Sequence, residues 1–178
     1  MQISILNFWF EELTPAQWWR VDAALDQTIQ ARFGELHRAA SAGELFEWRT
    51  TAQGRLAEII VLDQFSRNMH RGTALAFACD PMVLALAQEA VRIGADQALP
   101  APQRAFLYMP YMHSESALIH GHSERLFSAP GLEANFKAAL QHKAIIDRFG
   151  RYPHRNKILG RESTAQEIEF LQQPGSSF

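Results

Sequence analysis

RLAEIIVLDQFSRN, residues 55–68, is the stretch whose reading decides the fold. At roughly 100° per residue, Leu56, Ile60, Asp63 and Arg67 fall on one stripe of a helix, and Val61, Leu62 and Phe65, with Met69 just beyond, cover the opposite side. A helix that is apolar on two opposite sides belongs inside a protein, with other helices packed around it. Asp63 and Arg67 are four apart and able to pair, and an isolated charge in such a place would cost several kcal/mol.

Working outward, helix signals are dense and strand signals nearly absent. Residues 3–12 read as a short apolar helix. Thr14-Pro15 restarts the chain as a cap followed by proline. Residues 22–40 carry Leu25, Ile29, Phe33 and Leu36 at helical spacing, with Gly43 after them. Thr50 or Thr51 opens the central helix, which reaches about Asn68. Asp80-Pro81 reads as another cap and proline, beginning a helix that ends at Gly94. A proline-rich connection follows, then a short helix over 104–108. A helix beginning at Pro110 reaches about Phe127. Residues 132–149 place Leu132, Phe136, Ala139, Leu140 and Ile146 on one face. Pro153 breaks the segment 150–160. Thr164 with Glu167 three residues on is a capping box, and that helix ends before Pro174. The expected fold is all-α, a single domain over 1–178 with about eight or nine helices.

Composition narrows the function classes. The 178 residues are 47% hydrophobic and 20% charged, and the formal net charge is −2. That balance gives no global drive toward nucleic acid or an anionic membrane, so neither is an expected partner. The start, MQISILNFWFEEL, lacks the basic region of a signal peptide, no stretch reaches about 18 consecutive apolar residues, and Cys79 has no second cysteine to pair with. A cytoplasmic protein is expected. There is no GxGxxG, no P-loop and no GxSxG, so no cofactor and no serine-hydrolase site is expected.

Three segments carry chemistry. The central helix offers Asp63, Gln64, Arg67, Asn68 and Arg71. The next, 113–124, holds His113, Ser114, Glu115, His120, His122 and Glu124. His113, His120 and Glu124 share a face, but the spacing matches no established metal motif, and no metal is expected. On this reading His113 and Glu115 bond inside the bundle, while His120 and His122 lie at the surface. The third segment, 142–163, gathers Arg148, Arg151, His154, Arg155 and Arg161 around Gly150 and Pro153. Guanidinium groups suit carboxylate or phosphate, or they neutralise nearby acids and helix ends.

Four strings together, ILNFWF (5–10), LDQFSRNMHRGTALAFACD (62–80), YMPYMHSES (108–116) and HKAIIDRFGRYPHRNKILGRESTAQEIEFL (142–171), resemble the bacterial family known as domain of unknown function 924. The resemblance implies an all-helical fold with tetratricopeptide-like stacking of helix pairs, and it carries over no catalytic residue. The family's polar positions match Asp63, Gln64, Arg67, Asn68, Arg71, His113, Ser114, Glu115, Arg151, His154, Arg155 and Asn156. The chain departs from the family pattern at Met112, where glutamate is common, and just after Glu115, where an acidic residue and a glutamine are usual.

Buried polar groups need partners, so the three segments are expected to converge. The expected ligand site is an interior pocket of Asp63, Gln64, Arg67, Asn68, Arg71, His113, Glu115, Arg151, His154 and Arg155. Its arginines outnumber its acids, which favours a small anionic ligand, bound or turned over with a histidine or carboxylate moving a proton. The alternatives are a helical scaffold that binds a peptide or protein in a groove, and a purely structural ion-pair network.

Overall fold

In a computed structural model, which describes residues 1–177, helices follow one another and no strand occurs among the described residues. Helix α1 (Gln2–Asn7) runs on into a π-helical turn, Phe8–Glu12. There Leu13 N donates to Phe8 O at 3.2 Å, five residues back. The wider turn carries Phe8 and Trp9 into the core. After a 3-10 turn at Pro15–Trp19, Thr14 and Gln17 tie the chain: Thr14 N donates to Gln17 Oε1 at 2.8 Å.

Helix α2 (Ala23–Ser41) starts at Asp22, whose carboxylate accepts from Ala24 N and Leu25 N. Its Leu25, Ile29 and Phe33 are buried, and Phe33 stacks on Phe65 with ring centroids 5.1 Å apart. Gly43, at φ +76°, takes the left-handed turn that ends it, a conformation with no penalty for a residue lacking Cβ.

The central rod is α3 (Ala52–Ile60), a π-helical turn Val61–Phe65, and α4 (Ser66–Met69). Thr51 caps it by accepting from Gly54 N. Every residue from Leu56 to Ser66 is buried, as the two-sided apolar pattern requires. The rod packs against α1, α2, α5 (Asp80–Arg92) and α6 (Ala101–His113).

Three expectations need correction here. Helix α5 is capped at Cys79 with no side-chain bond, so Asp80 is its first residue and not its cap. Its carboxylate is free to turn toward Arg67 and Arg155. Pro110 does not begin a helix; it lies inside α6, and the break falls at 114–116, after which Ser116 caps α7 (Ala117–Phe127). Leu140 of α8 (Glu133–Phe149) is 39% exposed, because α8 turns Leu132, Ala139 and Ile146 inward instead. By length and composition alone the stretch Ala74–Arg92 is apolar enough to cross a membrane, although Asp80, Glu89 and Arg92 interrupt its apolar run. Its Val83, Ala87 and Ala90 face the core and its Asp80 is ion-paired.

Helices α7 and α8 pack together and against α6. One apolar core runs from Ile5 through Ala139, and a smaller cluster of Ile145, Ile146 and Tyr152 lies beyond it. The chain then passes through a 3-10 turn, Pro153–Arg155, to α9 (Ala165–Phe170), whose start is the Thr164–Glu167 capping box.

Candidate functional site

The π turn of the central rod holds Asp63, fully buried, with α4 directly after it. Single π turns within α-helices are frequent at functional sites, since the extra residue re-aims the side chains on either side. Asp63 Oδ1 faces His113 Nδ1 at 2.8 Å and Arg67 Nη1 at 3.0 Å, and Oδ2 accepts from Gln64 Nε2 at 2.5 Å. Arg67 also grips Asp80 with both terminal nitrogens, at 3.0 and 3.1 Å. Burial would raise the Asp63 carboxyl, but Arg67, His113 and Gln64 outweigh it and hold the group ionised, well below the usual carboxylate range.

Arg155 arrives from the C-terminal segment. It is 4% exposed, donates from Nη1 to Asp80 Oδ2 at 3.2 Å and from Nη2 to His113 O at 3.1 Å, and lies between the Phe77 and Tyr152 rings at 4.4 and 4.7 Å. Glu115 accepts from Tyr152 N at 2.7 Å and pairs with both terminal nitrogens of Arg161, at 2.6 and 2.9 Å. Burial works against its charge, yet Arg161 and the Tyr152 amide keep its carboxyl below the ordinary value.

Part of this network borders a cleft of about 410 Å³ between the start of α5, the end of α6 and the C-terminal segment, with Asp63, Gln64, Arg67 and Arg161 behind its wall. Asp80, His113, Ser114, Glu115 and Arg155 supply its polar wall. Burial and the Arg67 charge push the His113 imidazole below its ordinary value against the pull of Asp63, so it is neutral at neutral pH. An ionised carboxylate against Nδ1 requires the proton there, which leaves Nε2 as an acceptor. Nε2 makes no hydrogen bond among the described residues.

Of the ten expected site residues, Asp63, Gln64, Arg67, His113, Glu115 and Arg155 come together. Arg71 and Asn68 do not: both bind Asp26 of α2, at 2.7 and 2.8 Å. Arg151 instead latches α9, binding Glu167 with Nε and Nη2 and donating to Glu162 O. His154 is absent from the cleft wall and packs beside Tyr152, rings 5.6 Å apart, and burial lowers it to about 4. His120 is fully buried rather than at the surface, donating from Nε2 to Ser114 O at 2.8 Å. Among the described residues no set of three His, Cys, Asp or Glu side chains is arranged to hold a metal. The sequence reading missed Asp80, Phe77 and Tyr152 and left Arg161 outside the pocket. The signal for Asp80 was the surplus of arginines, which needed an acid. With Asp80 and Arg161 included, three carboxylates (Asp63, Asp80, Glu115) meet three guanidinium groups (Arg67, Arg155, Arg161), and the excess positive charge expected of the pocket is gone.

Fold and site define an all-helical bacterial-type domain with a buried ion network beside a small cleft. The model of the bacterial proteins of unknown function DUF924 matches residues 5–175, and the chain belongs to that family. A solved structure of a protein of unknown function from Agrobacterium tumefaciens superposes with a TM-score of 0.92 at 38% identity, covering 96% of each chain. No curated protein matches the sequence.

Proposed function

We propose that the chain is a small-molecule enzyme whose cleft binds substrate and whose His113 acts as general base. The terminal nitrogens of the arginines are engaged by carboxylates and backbone carbonyls and hold the site's shape; of the groups on the cleft wall, the imidazole is the one with a basic nitrogen that makes no hydrogen bond among the described residues. The observation that carries the reading is the Asp63–His113 contact at 2.8 Å, with Nε2 unbonded among the described residues. A carboxylate on Nδ1 fixes the tautomer and stabilises the imidazolium formed when Nε2 takes a proton. The cleft's volume lies within the usual range for small-molecule sites, about 300–1,000 Å³.

The test is depletion of compounds from a mixed metabolite pool, followed by mass spectrometry, with the parent protein and with His113→Gln. The parent should consume at least one compound, and the variant should do so at least about a hundredfold more slowly. Equal depletion by the two proteins, or none by the parent, removes the enzymatic reading.

A further inference from the structure

The polarity of the cleft points to the kind of molecule it takes. An ionised carboxylate offers about four acceptor positions. Asp80 fills three, with Arg67 Nη1, Arg67 Nη2 and Arg155 Nη1. Glu115 also fills three, with Tyr152 N, Arg161 Nη1 and Arg161 Nη2. Each keeps one open acceptor, and His113 Nε2 adds a third. Side-chain exposure follows the same order. Asp80 is 18% and Glu115 24% exposed, against 5% for Arg155, the one cationic side chain lining the cleft among the described residues. The Arg155 guanidinium is covered by Phe77 and Tyr152, its Nε is buried, and its two terminal nitrogens are engaged. Apart from the Ser114 hydroxyl, which can donate or accept, the cleft therefore shows acceptors to an incoming molecule and withholds its charged donors. Phe77, Pro81, Leu84, Pro110 and Leu159 make the rest of the wall apolar.

We propose that the cleft takes a primary amine on an aliphatic body, with the ammonium group seated among Asp80, Glu115 and His113 and the hydrocarbon against Phe77, Leu84 and Leu159. An ammonium has three N–H donors and no acceptor, which matches three side chains that each keep an open acceptor. A carboxylate or phosphate would bring only acceptors to the same wall. The inference rests on the cleft being a ligand site, and it reverses the polarity that the arginine count alone suggests.

Three probes of one length separate the cases: n-hexylamine, hexanoate and 1-hexanol, at millimolar concentration and neutral pH, with the full chain. Binding is read by thermal denaturation and by the NMR signal of the His113 ring. Hexylamine should raise the melting temperature, move the His113 signal and bind at least about tenfold tighter than either other probe. Ala78, exposed on the cleft wall, provides a control that spares the ion network. Ala78→Phe should fill the cleft and abolish hexylamine binding while leaving the protein's own melting temperature unchanged. Hexanoate or hexanol binding as tightly as hexylamine overturns the amine assignment and leaves the cleft as a ligand site. Hexylamine binding undiminished in Ala78→Phe places the amine elsewhere and overturns the assignment too. No effect of any probe on melting or on His113 overturns both the assignment and the ligand site beneath it.

Discussion

Arg155 and Asp80 lie 75 residues apart in the chain and meet at 3.2 Å, joining the C-terminal segment to the start of α5. Asp80 is shared: Arg67 holds it from the central rod while Arg155 holds it from the other side. One carboxylate therefore ties three separate segments together, and the cleft lies along that seam.

Arg155→Met should destabilise the protein. Removing one partner of a buried pair usually costs about 3–5 kcal/mol, because the other charge is left alone. Asp80 keeps Arg67, so the loss here should be smaller, about 2–3 kcal/mol, chiefly from the His113 carbonyl and the lost charge-assisted bond. Urea unfolding of parent and variant measures it. A variant as stable as the parent would mean that the seam does not depend on Arg155.

Asp63→Asn should lower the His113 pKa further. Burial and Arg67 already depress it, and Asp63 is the principal group opposing them. An amide in its place also loses the preference for a proton on Nδ1. NMR titration of the His113 ring should show a lower midpoint and a mixed tautomer, whereas an unchanged midpoint would detach Asp63 from the imidazole. If His113 is the general base, the same variant should lose most of the activity that His113→Gln loses.

What the sequence made legible was local. The two-sided apolar pattern of residues 55–68 marked the buried rod, and the Asp63–Arg67 pair follows from a spacing of four on one helix. The Thr51 cap of the central helix and the Thr164–Glu167 box were visible for the same reason. Long-range partners were not. Arg71 finds Asp26 across 45 residues and Arg151 finds Glu167 across 16, and nothing near either arginine in the chain marks that acid. Pro110 misled because an interior proline costs about 3 kcal/mol. Near the end of α6 that penalty is outweighed by burial of every residue from Ala105 to Met112. His120 misled through its polarity, though its spacing with Ser123 and Phe127 describes the buried face of α7.

Gly54→Ala should destabilise although alanine favours helices. A Cβ there would lie 2.0 Å from the Trp48 carbonyl oxygen and 2.9 Å from its carbon, and both are backbone atoms. Alanine gains up to about 1 kcal/mol of helix propensity. Overpacking of this kind costs about 1–3 kcal/mol, and here the neighbour cannot rotate away. A lower denaturation midpoint is expected, and a higher one would show that the 3-10 turn Phe46–Thr50 yields easily.

Mild acid should unfold the protein before its carboxylates titrate. Burial pushes His142 down to about 3 and His154 to about 4, and it also lowers His113 and His120, all from an ordinary value of 6.5. Below 6.5 the unfolded chain binds protons at these positions and the folded chain does not. Stability therefore falls as pH falls, and it levels only below the folded values. Each such histidine contributes a slope of at most about 1.4 kcal/mol per pH unit. The carboxylates act in the same direction but lower. Arg151 and burial in opposition leave Glu167 at about 2, so the stability it contributes is lost only as pH drops below its ordinary 4.5. Between pH 6.5 and 4.5 the loss belongs to the histidines. Urea unfolding at pH 7.5, 6.5, 5.5 and 4.5 should show a flat first interval and a steep decline after it. His142→Gln should make that decline shallower by up to one proton's slope. A flat profile down to pH 4.5 would mean that these imidazoles are charged, or hydrated, within the folded protein.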